Sequence, residues 1–188
     1  MPAEILARRR LVEGWSTLSR LRLRMPDGAE VERHLEHHGD AVAVLPYDPV
    51  RGRVLLVTQP RAPVCEAGEA DILEIAAGQL EGADAEACAR REAMEELGLD
   101  LGRLELVAVC WSMPGVSTER LHLFLAPYGP EQQRGQGGGA PGEHENIRVV
   151  EMSIDEAWSA AARGAVPDMK TLLALHALRV RRADLFSA

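Results

Sequence analysis

Arg91-Glu92-Ala93-Met94-Glu95-Glu96-Leu97-Gly98-Leu99 is the stretch whose reading decides the fold. Glu92, Glu95 and Glu96 stand at i, i+3 and i+4, so on a helix the three carboxylates share one face, while Met94, Leu97 and Ala87 point roughly the other way. Like charges at that spacing cost about 0.2–0.5 kcal/mol per pair. In isolation, such a face reads most simply as a solvated surface. The chemical reading is a platform of hard oxygen ligands, the kind Mg²⁺ combines with phosphate oxygens and water. The choice between the two depends on what surrounds the stretch.

Working outward, residues 85–97 are too long for a strand and rich in Ala, Glu, Arg and Met, with Gly98 placed to stop a helix. Short apolar runs at 41–45, 54–58, 73–77, 104–111, 121–126 and 147–152 read as strands. Ser153 and Glu156 make a capping box that opens a helix running to Arg163, and a second helix follows Pro167. Between strands, 129–142 holds Gly137-Gly138-Gly139 and two prolines, which predicts a mobile surface loop. Near the start, Leu21, Leu23 and Met25 alternate with Arg20, Arg22 and Arg24, Pro26-Asp27-Gly28 turns the chain, and 29–35 resumes an extended pattern. Such an antiparallel hairpin cannot bury itself and must pack on the main body or on a second subunit. The expected organisation is therefore an N-terminal hairpin subdomain at 1–38, dimerising, and a layered α/β domain at 39–188.

Composition sets limits on function. The chain of 188 residues, 46% hydrophobic, can bury a proper core. A formal net charge of -8 argues against nucleic acid and membrane surfaces as partners, since both would repel an acidic body, and leaves a small metal-complexed anion. Cys65, Cys88 and Cys110 are odd in number and lack metal-site spacing, and no run reads as a signal or a membrane span. A reducing cytoplasm with packed, unpaired cysteines is the expectation.

The opening stretch resembles the second half of the Nudix box, which runs Arg-Glu-apolar-x-Glu-Glu-x-Gly-apolar; Arg91, Glu92, Glu95, Glu96, Gly98 and Leu99 fall in place, with Ala93 small for its slot. The first half departs: Gly78 lies thirteen residues before Arg91 rather than fourteen, and the box's first Glu falls near Ala83 or Asp84. The shortened box after Glu74-Ile75-Ala76-Ala77-Gly78 is similar to the nucleoside diphosphate sugar branch of that family. Further resemblances are Trp15-Ser16-Thr17-Leu18 to that branch's N-terminal hairpin, Gln59-Pro60-Arg61 to its Gln-aromatic-Arg, Met113-Pro114-Gly115-Val116-Ser117-Thr118-Glu119 to its Ser-Pro-Gly-x-x-Thr-Glu loop, and Asp168-Met169-Lys170-Thr171 to its Asp-x-Lys-Thr. Glu143-His144-Glu145-Asn146-Ile147 resembles its Glu-x-Glu-x-Ile.

The resemblance implies a Nudix-type α/β/α sandwich with a mixed sheet, and hydrolysis of a GDP-mannose or ADP-ribose type substrate to a nucleoside monophosphate and a sugar phosphate. It implies Mg²⁺, with Mn²⁺ as an alternative, held by Glu92, Glu95, Glu96, Glu145 and the Ala77 carbonyl. Of Glu143 and Glu145 one would be the general base, assigned to Glu143, and the other would complete the metal site, with Glu96 also catalytic and Arg61, Glu119 and Lys170 contacting substrate. Arg91 is expected to hold Glu95 at i,i+4, and Cys88 to pack rather than attack. Other expectations kept open are a coenzyme A or dinucleoside polyphosphate hydrolase of the same family, and a nucleotide-binding regulator without turnover. Retaining both a metal helix and a base disfavours the regulator.

Overall fold

The computed structural model describes residues 2–140, 142 and 144–187. The chain forms two compact units, one made of the N-terminal segment through Ala41 together with Val109–Leu121, the other of Val42–Ala108 and the segment from His122 onward.

The smaller unit carries an antiparallel sheet in the order β1 (Glu4–Glu13), β2 (Thr17–Arg24), β3 (Glu30–His37). The expected hairpin is β2–β3, with Leu23 opposite Val31 and Arg20 opposite His34. Gly28, at φ 87°, closes the turn by donating its N–H to the Met25 carbonyl at 2.9 Å. β1 is a third strand that alternation did not reveal, because Arg8-Arg9-Arg10 interrupts its apolar pattern and it is exposed along nearly its whole length. Cross-strand pairs such as Arg20–Glu32 at 3.3 Å and Arg24–Glu4 at 3.0 Å lie in solvent and stabilise by about 0–1 kcal/mol each. The buried apolar contribution of this sheet is Leu21.

The larger unit is built on a seven-stranded mixed sheet from β4 (Ala41–Asp48), β5 (Arg53–Gln59), β6 (Ile72–Glu74), β7 (Ala76–Gln79), β8 (Glu105–Trp111), β9 (Arg120–Pro127) and β10 (Arg148–Ser153). The main path is β10-β5-β4-β9-β8, with β6 on β5 and β7 on β4. Its helices are α1 (Ala62–Glu66), α2 (Ala85–Leu97), α3 (Ile154–Ala162) and α4 (Met169–Arg181). The apolar run at 73–77, expected as one strand, breaks at Ile75: Glu74 pairs with Val57 on β5, whereas the next strand turns to β4. Ile75 N–H donates to the Thr171 hydroxyl at 2.8 Å, so α4 supplies the partner missing at the break.

Helix α2 begins at Asp84, whose carboxylate accepts the Ala87 N–H at 3.0 Å, and ends at Gly98 in the left-handed region. Its anchoring face differs from the one the spacing suggested. Ala87 and Met94 are exposed, and Cys88, Ala89, Ala93 and Leu97 pack into the core with Val42, Val44, Val57 and Phe124. Three small residues let the helix lie close to the sheet, and Leu97 alone stabilises by roughly 1.5–3 kcal/mol. Because the helix sits so close, Glu92 and Glu96 are drawn inside, at 8% and 2% exposure. The acidic face is not a solvated one.

The glycine-rich segment is also not the mobile linker its composition suggests. Arg134 and Gly135 N–H bond the Gly98 carbonyl at 2.8 and 3.2 Å, Gly138 N–H the Glu96 carbonyl at 2.9 Å, and Gly139 N–H the Glu95 carbonyl at 3.0 Å. These are the carbonyls a helix end leaves without partners, so the segment serves as an extended C-cap for α2. A Cβ on Gly137 would stand 2.1 Å from the Glu96 carbonyl oxygen, and φ there is +70°. Only glycine permits that approach. The remaining caps follow the sequence: Ser153 and Glu156 close the box on α3, and Asp168 caps α4 by accepting the Thr171 N–H at 2.9 Å.

Candidate active site

In the larger unit, two buried glutamates one helical turn apart form the centre of the site. Glu96 Oε2 accepts the Ala77 N–H at 3.3 Å at the β7 end. Glu92 lies against Gly78, where an added Cβ would fall 2.1 Å from Glu92 Oε1, so that glycine is the floor on which the carboxylate rests. Glu145, partly buried, comes near enough to act on Glu96 electrostatically. Burial, then the charges of Glu92 and Glu145, push the Glu96 carboxyl up to about 8. The Ala77 hydrogen bond and the Arg61 charge oppose this without cancelling it.

Arg91 spans the helix surface, with Nη1 on Glu95 at 2.9 Å and Nη2 on Glu92 at 2.6 Å. It thus holds Glu95 as the i,i+4 spacing suggested, and Glu92 as well. Cys88 donates to the Gln79 carbonyl at 3.2 Å, and burial raises its thiol above the ordinary range, which suits packing and not nucleophilic attack.

Arg61 and Lys170 converge on Glu74, which in the sequence stands out only as part of a motif. The Arg61 guanidinium meets Glu74 through Nε at 2.9 Å and Nη2 at 3.0 Å, and Lys170 also donates to Glu74. Lys170 reaches Asp168 at 3.0 Å as well. Burial pushes the Glu74 carboxyl up, but the two cations outweigh it and hold it below the usual range. A charged residue inside an apolar run was the signal that could have marked it, since such a group is buried only when paired. Arg61 also feels the charges of Glu96 and Glu145, so the cation pair stands within electrostatic reach of the carboxylate cluster.

Glu119 lies in the smaller unit, where it is engaged by a side chain: His38 Nε2 stands 2.8 Å from it and His38 Nδ1 2.7 Å from Glu36. Ser117 Oγ donates to the other Glu36 oxygen at 2.8 Å, and Trp15 stacks on the imidazole with centroids 4.9 Å apart. Burial pulls the His38 pKa down, but the hydrogen bonds to Glu36 and Glu119 prevail and raise it. Glu143, the expected general base, lies outside the described residues.

As a metal centre, the donor set fits by chemistry. It consists of hard carboxylate oxygens, two of them buried, with the Glu92 charge raising the proton affinity of Glu96, a conflict that a divalent cation removes. Among the described residues, no group of three or more His, Cys, Asp or Glu side chains is already gathered as a complete cage. Arg91 accounts for part of this by drawing Glu95 to the helix surface.

Comparison with known proteins identifies the family. Residues 37–175 match the NUDIX domain. The chain is similar to GDP-mannose pyrophosphatase of Cronobacter sakazakii, with 36% identity over 157 residues covering 81% of each chain. It is likewise similar to GDP-mannose pyrophosphatase of Pectobacterium atrosepticum, with 34% identity over 184 residues covering 94% of each. A solved structure named ADP compounds hydrolase superposes with a TM-score of 0.78 over 98% of this chain and 96% of its own, at 15% identity, a likeness of fold. With the box residues on a helix packed against the sheet, and the match running through most of its length, the chain belongs to the NUDIX domain family and is a Nudix hydrolase.

Proposed function

We propose that the protein hydrolyses the diphosphate bond of nucleoside diphosphate sugars of the GDP-mannose or ADP-ribose type, in a Mg²⁺-dependent reaction that yields a nucleoside monophosphate and a sugar phosphate. The observation that carries the proposal is the burial of Glu92 and Glu96 beside Glu145, with Arg61 close enough to feel both Glu96 and Glu145. The names of the relatives point the same way.

Glu92, Glu96, Glu145 and the Ala77 carbonyl would hold the ion, with Glu95 as a further ligand or an orienter of water. Mg²⁺, or Mn²⁺ in its place, supplies neutralisation of the diphosphate and of the leaving phosphate. Arg61 and Lys170 bind and orient the diphosphate oxygens, so that a water can approach phosphorus in line. Glu143 takes the proton from that water. Glu119 is proposed as a further substrate contact.

A binding module without turnover has no need of both a metal helix and a general base, so the hydrolase is the better reading. The N-terminal segment 1–38, a sheet with exposed Ile5 and Val12, supports a homodimer, which light scattering at micromolar concentration tests. No described helix is long and apolar enough to cross a membrane, and Cys65, Cys88 and Cys110 are free thiols, which supports a reducing, cytoplasmic setting. The decisive experiment is a panel of ADP-ribose, GDP-mannose, other sugar nucleotides, coenzyme A and dinucleoside polyphosphates with Mg²⁺, products being resolved chromatographically. Preferred cleavage of coenzyme A or a dinucleoside polyphosphate would overturn the substrate class, and no cleavage at all would overturn the activity.

A further inference from the structure

We propose that Glu74 is a positioning residue that fixes Arg61 and Lys170 as a pre-aligned pair for the two phosphoryl groups of the substrate, an inference that rests on the pyrophosphohydrolase reading above. Glu74 is 2% exposed and ends β6, at the break in the strand that leads to Ala77 and Gly78. Both of its oxygens are used: Oε1 by Arg61 Nε, Oε2 by Arg61 Nη2 and by Lys170. The network then closes on itself. Lys170 donates to Asp168, Asp168 accepts the Thr171 N–H, and the Thr171 hydroxyl accepts the N–H of Ile75, the neighbour of Glu74.

This circuit ties a strand break, a helix start and two long cationic side chains into one geometry. Two acids, Glu74 and Asp168, face two cations, so the circuit is close to neutral and can be buried. Glu74 occupies the Nε side of the Arg61 guanidinium, and the planar group presents its Nη1 end to a ligand in a fixed orientation. Lys170, fastened to the same carboxylate oxygen as Arg61 Nη2, is held beside it. Unfastened, both rotamer-rich side chains would have to be ordered at each binding event, weakening substrate binding. If Glu74 only balanced charge, its reach would not matter.

Glu74→Asp separates these cases, because it keeps the charge and shortens the reach by one methylene. With the substrate found in the panel, Glu74→Asp is expected to raise KM about tenfold, the loss that follows from misplacing charge-assisted hydrogen bonds, with kcat and the Mg²⁺ dependence little changed. Glu74→Gln, if it folds, should do the same. A wild-type KM in folded Glu74→Asp, or a lowered KM in Glu74→Gln, would show that Glu74 merely balances charge and overturn the proposal. A second readout does not depend on turnover. In ¹⁵N–¹H spectra, the Arg61 Nε–H signal, identified by its loss in Arg61→Lys, should be sharp and slow to exchange in the wild type and should broaden in Glu74→Asp. An Arg61 signal that already exchanges fast in the wild type, or that is unaltered in Glu74→Asp, refutes the alignment even if the panel shows no turnover. An inactive wild type with the expected spectra would sink the functional reading alone.

Discussion

Replacing Glu96 by Gln should make the metal-free protein more stable at alkaline pH while removing most of its activity. Glu96 is 2% exposed, and its carboxyl is pushed from 4.5 up to about 8 by burial and by the charges of Glu92 and Glu145. Between those two values the folded protein keeps a proton that the unfolded chain releases, so stability falls as pH rises through the window. At ~1.4 kcal/mol per unit, the interval from 4.5 to about 8 bounds the penalty at roughly 5 kcal/mol. Relaxation and water entry around a buried charge leave about half of that, ~2 kcal/mol, which for a chain of this length shifts melting by about 4–8 °C. Melting curves of wild type and Glu96→Gln in chelator, from about pH 5 to about pH 9, should converge at the acid end and separate at the alkaline end, the variant melting higher. Saturating Mg²⁺ should close the gap by stabilising the wild type and not the variant, which should retain less than about one part in 10² of the wild-type turnover. Parallel curves in chelator, or a variant that melts lower at about pH 8, would refute the argument that the buried charge opposes folding until an ion arrives.

The two acids of the loop should fail differently: Glu143→Gln should lower kcat by about 10²–10⁴-fold at unchanged Mg²⁺ requirement, whereas Glu145→Gln should raise the Mg²⁺ concentration for half-maximal rate. Identical Mg²⁺ titrations of the two variants would defeat this division. Gly137→Ala should destabilise by about 1–3 kcal/mol in urea titration, because the new Cβ meets the Glu96 carbonyl oxygen in a left-handed backbone; unchanged stability would show that the segment yields easily. The His38 imidazole should titrate above 6.5 by NMR, contributing stability that is fully present below that value and is lost as pH rises through the raised one. Glu119→Gln should bring the value down, and an ordinary value in the unaltered protein would contradict the double carboxylate clamp.

The legible parts of the fold were those set by local rules. The helix at 85–97 stops at Gly98, and the box at Ser153 and Glu156 starts α3, as the sequence predicts. What stayed hidden was decided by partners distant in sequence. Whether 73–77 is one strand or two depends on β4 and β5 both claiming it, and on Thr171 accepting the N–H in between. The exposed β1 is held by pairing with β2 and not by a pattern of its own. In the site, the spacing of Glu92, Glu95 and Glu96 showed that they share a face, but not that small residues at 88, 89 and 93 would bring that face inside. Glu74 was overlooked because its meaning comes from Arg61, thirteen residues away, and Lys170, ninety-six away.

The docking of the glycine segment onto the end of α2 leaves Glu145 on a tether of fixed residue count between two posts. One post is the pair of carbonyls at Glu95 and Glu96, and the other is the first rung of β10, where Arg148 faces Thr58. Glu145 hangs on that tether, so the count of residues on it positions the carboxylate. Removing or adding one residue would move Glu145 along its path by up to about 3.8 Å, more than a metal–oxygen bond. Length changes in this loop should therefore be far less tolerated than its composition suggests, and new loops grafted there would need to preserve the count before the chemistry.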